Sequence, residues 1–76
     1  MNQFDLKAET REWHLAADVG GCLRIEARLQ GQGLKIEFDE PLKSGDQILK
    51  IACTYIGEDA DPTAERWKSY QETETN

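Results

Sequence analysis

Apolar and polar residues alternate with a period of two over much of this chain. The longest such run is Cys22 to Asp39, CLRIEARLQGQGLKIEFD. Leu23, Ile25, Ala27 and Leu29, then Leu34, Ile36 and Phe38, share one face, while Arg24, Glu26, Arg28, Lys35, Glu37 and Asp39 share the other. Alternation on both sides of a glycine-rich turn predicts a half-buried β-hairpin. A type II′ turn at Gly31-Gln32 would pair Leu29 with Leu34, Ala27 with Ile36 and Ile25 with Phe38. A turn at Gln32-Gly33 keeps the same faces. A one-residue slip sets Leu29 opposite Lys35 and is excluded by the buried face.

The same pattern extends to both sides. Phe4, Leu6 and Ala8 alternate with Asp5 and Lys7, and Trp13, Leu15 and Ala17 alternate with Glu12, His14 and Asp18. These segments read as two further strands. A helix capped by Thr10 and stopped at Gly20-Gly21 is the competing reading for the second. A loop at Val19-Gly20-Gly21 then joins the second strand to the hairpin with all apolar faces in agreement. Pro41 ends the hairpin, because proline cannot donate to a ladder. After a turn at Lys43-Ser44-Gly45-Asp46, residues 47–56 predict a fifth strand. Leu49, Ile51, Cys53 and Tyr55 lie on one face, and Ile48, Lys50, Ala52, Thr54 and Ile56 on the other. Asp61 followed by Pro62 is an N-cap and first-turn signal for a helix over residues 62–71. Such a short helix needs Trp67 and Tyr70 to dock on something.

The expected fold is therefore α+β. It is an antiparallel β-meander of about five strands with one C-terminal α-helix packed on the apolar face, or alternatively a small five-stranded barrel. Residues 1–71 form one domain, and the polar residues 72–76 read as a disordered tail.

Length and charge narrow the function. A chain of 76 residues buries only about 60% of its unfolded surface, so little volume remains for a large substrate cavity. The net charge is −6, and most of the surplus lies after residue 37. Such a surface is repelled by phosphate backbones and anionic lipid, which argues against direct nucleic-acid or membrane binding. No segment has the length of a membrane span, and the N-terminal residues lack the pattern of a signal peptide. The expected setting is the cytoplasm, where the two cysteines would remain thiols.

Candidate chemistry is sparse. His14, the sole histidine, would point to the polar face as a solvated side chain. Cys53 would lie in the core, and Cys22 on the polar face beside Arg24. With His14 they sit on three separate strands, unlike the short ligand spacing of zinc sites. No metal or cofactor is implied. The acidic pairs Glu26 and Glu37, Asp39 and Glu40, and Glu58 and Asp59 read as a solvated face, since acid–base work needs one carboxyl in an apolar pocket. Gly31-Gln32-Gly33 lies between strands and is no phosphate loop.

These observations point to a non-enzymatic, acidic protein-binding module. Its partner would be a protein with a basic surface, engaged by Glu58, Asp59, Asp61 and Glu65, with Trp67 and Tyr70 either packed on the sheet or serving as anchors. One concrete version is an inhibitor that mimics nucleic acid and blocks a basic site, as phage or mobile-element anti-defence proteins do as a class. The alternative is a self-assembling subunit, a homodimer included, that uses an edge strand or the Ile48/Ala52/Ile56 face.

Overall fold

The computed structural model describes residues 1–64. Within them the chain forms β1 (Glu12–Ala16), α1 (Val19–Gly31), β2 (Glu37–Lys43) and β3 (Ile51–Ile56). The class is α+β, but with one open three-stranded antiparallel sheet in the order β1-β3-β2. The five-stranded meander and the five-stranded barrel are both overturned.

The decisive difference lies at residues 19–31, where a helix replaces the first arm of the expected hairpin. Its apolar positions satisfy two periods at once. Cys22, Ile25 and Leu29 are spaced for one helical face, and these are the residues that the helix buries. Leu23, which the strand reading placed with them, is exposed on the outer side. Local propensity breaks the tie: Leu-Arg-Ile-Glu-Ala-Arg-Leu-Gln carries strong helix formers and a single β-branched residue.

Both ends of α1 are capped. The Asp18 carboxylate accepts the Gly21 N–H at 2.9 Å. At the other end Gly33 takes a φ of +87°. Gly33 N–H bonds to the Gln30 carbonyl at 3.0 Å and Leu34 N–H to the Leu29 carbonyl at 3.2 Å. These are the two bonds of a Schellman cap, and Gly33 provides the left-handed conformation it requires. Glycines expected to turn a hairpin instead end a helix.

The chain runs from β1 through α1 to β2, and β3 returns between the two strands. In the β1–β3 register Glu12 faces Tyr55, His14 faces Cys53 and Ala16 faces Ile51. The core lies between this face and α1 and holds Ala16, Cys22, Ile25, Leu29, Ile36, Cys53 and Tyr55. The Tyr55 hydroxyl donates to the Cys22 carbonyl at 2.8 Å, tying the central strand to the helix. A Cys22–Cys53 disulfide joins the same two elements, with Cα atoms 5.4 Å apart. Two expectations fail here: Cys22 faces the core, and neither cysteine is a thiol.

Two expected strands survive in changed form. The strand over residues 12–18 is present as β1, but its faces are reversed, with Glu12, His14 and Ala16 buried and Trp13 and Leu15 half-buried. His14 is therefore not a solvated side chain. Trp13 has Phe4 as a neighbour at 5.0 Å between ring centroids, so the N-terminal segment helps cover the second face. The last strand is present as β3, shortened to Ile51–Ile56 because Asp46 holds the Ile48 and Leu49 amides in a turn.

The expected strand over residues 3–8 is instead a turn, closed by Asp5 carbonyl bonds to the Ala8 and Glu9 amides. Only Gln3 bridges to Lys43. Pro41 lies inside β2 rather than beyond a strand end. There the strand register shifts between Phe38 and Pro41, and β2 is an edge strand that tolerates a missing N–H. The C-terminal helix over residues 62–71 falls almost wholly outside the described residues. The apolar face it was expected to cover is occupied by α1.

Candidate functional site

The acidic segment after β3 forms a tight, well-anchored turn. Gly57 begins it with a φ of +135°. A Cβ there would lie 2.2 Å from the Lys35 carbonyl oxygen, so only glycine allows this approach. Lys35 grips the turn from the other side. Its N–H donates to the Asp59 carboxylate at 2.6 Å, and its carbonyl accepts the Asp59 N–H at 3.1 Å. The Ala60 N–H closes back on the Gly57 carbonyl at 3.2 Å.

The next anchor is internal. The Asp61 N–H donates to Glu12 Oε1 at 3.1 Å. The other carboxylate oxygen of Glu12 lies 2.5 Å from His14 Nε2, and both side chains are only 1% exposed. The Glu12 carboxylate thus has two partners, the Asp61 amide and the His14 ring, which make its burial tolerable. Tyr55 packs against the His14 ring with centroids 5.5 Å apart. This pair is structural in position: it lies under the surface and fixes the acidic turn onto β1.

The expected site residues divide accordingly. Glu58, Asp59 and Asp61 are brought together in one turn and are exposed. Glu58 has 77% of its side chain exposed and pairs loosely with Lys35 at 3.4 Å. The Asp61 carboxylate accepts from the Thr63 N–H at 2.9 Å and from the Thr63 hydroxyl at 2.7 Å. Glu65, Trp67 and Tyr70 lie outside the described residues.

Asp39 and Glu40, expected as one pair on a solvated face, gather with Glu9 around Arg11 in a second acidic cluster. Arg11 makes a two-pronged pair with Glu9, at 2.8 and 3.0 Å. It also reaches Asp39 at 2.5 Å and Glu40 at 3.0 Å. Three carboxylates around one guanidinium leave a local negative excess. The bond from the Arg11 side chain, the largest influence, holds the Glu9 carboxyl below its ordinary value despite some burial. The same pairing raises Arg11. Nothing in the local spacing marks this cluster, because Asp39 reaches Arg11 only through the β1-β3-β2 order.

Of the two surfaces expected for self-assembly, the Ile48/Ala52/Ile56 face is not formed as one surface, whereas β1 and β2 are both edge strands of the sheet. Ala52 is fully buried, Ile48 lies in the loop before β3 and Ile56 is at the strand end. The β2 edge is engaged at two of its positions. The Phe38 N–H donates to Glu26 Oε2 at 2.8 Å, and Lys43 is bonded through both its N–H and its carbonyl to Asn2 and Phe4.

Among the described residues no group of three or more His, Cys, Asp or Glu side chains is arranged to hold a metal ion. Among the same residues no helix is long and apolar enough to cross a membrane. Comparison with protein families, with curated proteins and with solved structures finds no match.

Proposed function

We propose that this chain is a non-enzymatic binding module whose acidic surface engages a basic surface of a partner protein. The observation that carries the reading is the Gly57–Asp61 turn. Its backbone is fixed by Lys35, Glu12 and a steric requirement for glycine, while Glu58 remains in solvent. A charge held on a fixed backbone loses less entropy on binding than one on a loose loop. Exposed carboxylates arranged this way favour a cationic partner and speed the encounter with it.

The disulfide favours a compartment other than the expected cytoplasm. Reducing cytoplasm keeps most cysteines as thiols, whereas Cys22 and Cys53 are bonded. In this reading the module therefore works in an oxidising compartment, and its partner is a basic surface met there. Blocking of a cytoplasmic nucleic-acid-binding protein is the version that free thiols in cells would restore. Alkylation of cells before lysis, followed by mass spectrometry, distinguishes the two.

The test of the reading itself is a pull-down without reductant, washed at low and then high salt. Glu58→Lys, a charge reversal at an exposed residue that does not anchor the turn, serves as control. A basic protein held at low salt, released at high salt and lost by the control supports the proposal. Capture that neither salt nor charge reversal changes would overturn it, because a screened surface interaction cannot behave so.

A further inference from the structure

Beside the acidic turn is an open cleft of about 470 Å³, lined in part by Leu34, Lys35, Glu37, Ile56 and Glu58. Ile56 ends the central strand, whose preceding four residues are buried, yet it is 43% exposed. Glu37 stands directly opposite it on β2. Glu58 follows two residues later and is exposed. The cleft thus combines an apolar side chain at its wall with two carboxylates at its rim.

This chemistry matches one kind of side chain. An arginine has an aliphatic stem that prefers an apolar surface and a planar cation that prefers carboxylates. We propose that the cleft receives an arginine side chain of the partner protein, with its stem on Ile56 and its guanidinium between Glu37 and Glu58. The inference rests on the acidic-module reading and names how that surface recognises its partner. The cleft also contains its own competitor. Lys35 Nζ lies 3.4 Å from Glu58, with both side chains about three-quarters exposed, and an exposed pair of this kind is worth little and yields readily. An incoming arginine displaces that amine.

Amide NMR of the full chain titrated with a short arginine-containing peptide tests this, with the citrulline peptide as the neutral isostere. The expected shifts concentrate at residues 34–37 and 56–58 for arginine and vanish for citrulline. Ile56→Ser and Glu37→Gln should each weaken binding about threefold to fivefold without altering the rest of the spectrum. Lys35→Ala should strengthen binding, which a merely structural role for these residues would not produce. Shifts spread evenly over all surface carboxylates would overturn the cleft and leave the acidic module standing. Absence of any arginine-dependent shift at low salt would overturn both.

Discussion

Glu12 and His14 are two residues apart on β1, and their side chains meet at 2.5 Å inside the protein, on the face covered by α1. The pairing explains why a strand can turn its charged residues inward and leave Trp13 and Leu15 half-buried on the other side. Each polar group supplies the partner that makes burial of the other tolerable. The second carboxylate oxygen of Glu12 then holds the Asp61 amide, which connects an interior pair to the surface turn.

Removal of one partner should be far more damaging than removal of both. His14→Ala or Glu12→Ala leaves a buried polar group uncompensated and should cost about 1–3 kcal/mol. The apolar double variant Glu12→Leu/His14→Leu should recover part of that loss. Urea unfolding of the four proteins, read as a double-mutant cycle, checks this. Strictly additive losses would show that the two side chains do not act as a pair.

The strand over Ile51–Ile56 and the strand at Trp13 could be read from the alternating pattern. The helix could not, because CLRIEARL satisfies periods of two and near 3.6 together. The signals that separate them were present: Asp18 three residues before Gly21, Gly33 followed by Leu34, and a run of helix-favouring residues. The reversed face of β1 was hidden for a different reason. Burial of Glu12 and His14 depends on each other and on Asp61, which lies far away in sequence. The Cys22–Cys53 bond follows only once α1 turns Cys22 inward over β3. Arg11 and Asp39 likewise meet through topology alone.

The disulfide should carry much of the stability of so small a domain. Closing a loop with a sequence separation of 31 contributes about 4 kcal/mol in the chain-entropy description. Since domains of this size are stable by only a few kcal/mol in total, Cys22→Ala/Cys53→Ala should be largely unfolded at room temperature. Thermal unfolding of the oxidised and reduced protein provides the comparison. Equal midpoints would show that the bond adds nothing.

Gly57→Ala should unfasten the acidic turn. The substitution adds a Cβ against the Lys35 carbonyl at a φ of +135°. The expected loss is about 2–3 kcal/mol. Amide exchange should rise at Asp59 and Asp61, whose bonds to Lys35 and Glu12 depend on this approach. Gly31→Ala, which meets nothing within 4 Å, is the matched control and should be neutral or slightly stabilising.

Acid should weaken the Arg11 cluster in a defined window. Glu9 has its carboxyl held below the ordinary value of 4.5, chiefly by the Arg11 side chain. A carboxyl lowered in the folded state contributes stability that is complete above its unfolded value and is lost as pH falls through its folded value. Glu9→Gln should therefore remove part of the acid sensitivity that appears as pH falls below about 5 and leave the slope near neutrality unchanged. Urea midpoints across that range measure it. An unchanged acid limb would show that the pair does not contribute to pH-dependent stability.

Glu26 guards the β2 edge, and its loss should alter association as well as stability. The side chain reaches from α1 to accept the Phe38 N–H at 2.8 Å, while Pro41 presents no N–H farther along the same strand. An edge with unsatisfied amides is a template for pairing with a second chain, and a carboxylate from the same molecule both satisfies the amide and repels a similar edge. Glu26→Ala removes both effects. The expected result is a loss of about 1–2 kcal/mol and concentration-dependent association visible by light scattering, whereas Glu26→Gln should retain the bond and associate less. If Glu26→Ala lost stability but remained a monomer at high concentration, the carboxylate would be only a tie between α1 and β2. The register shift at Pro41 would then suffice to close the edge.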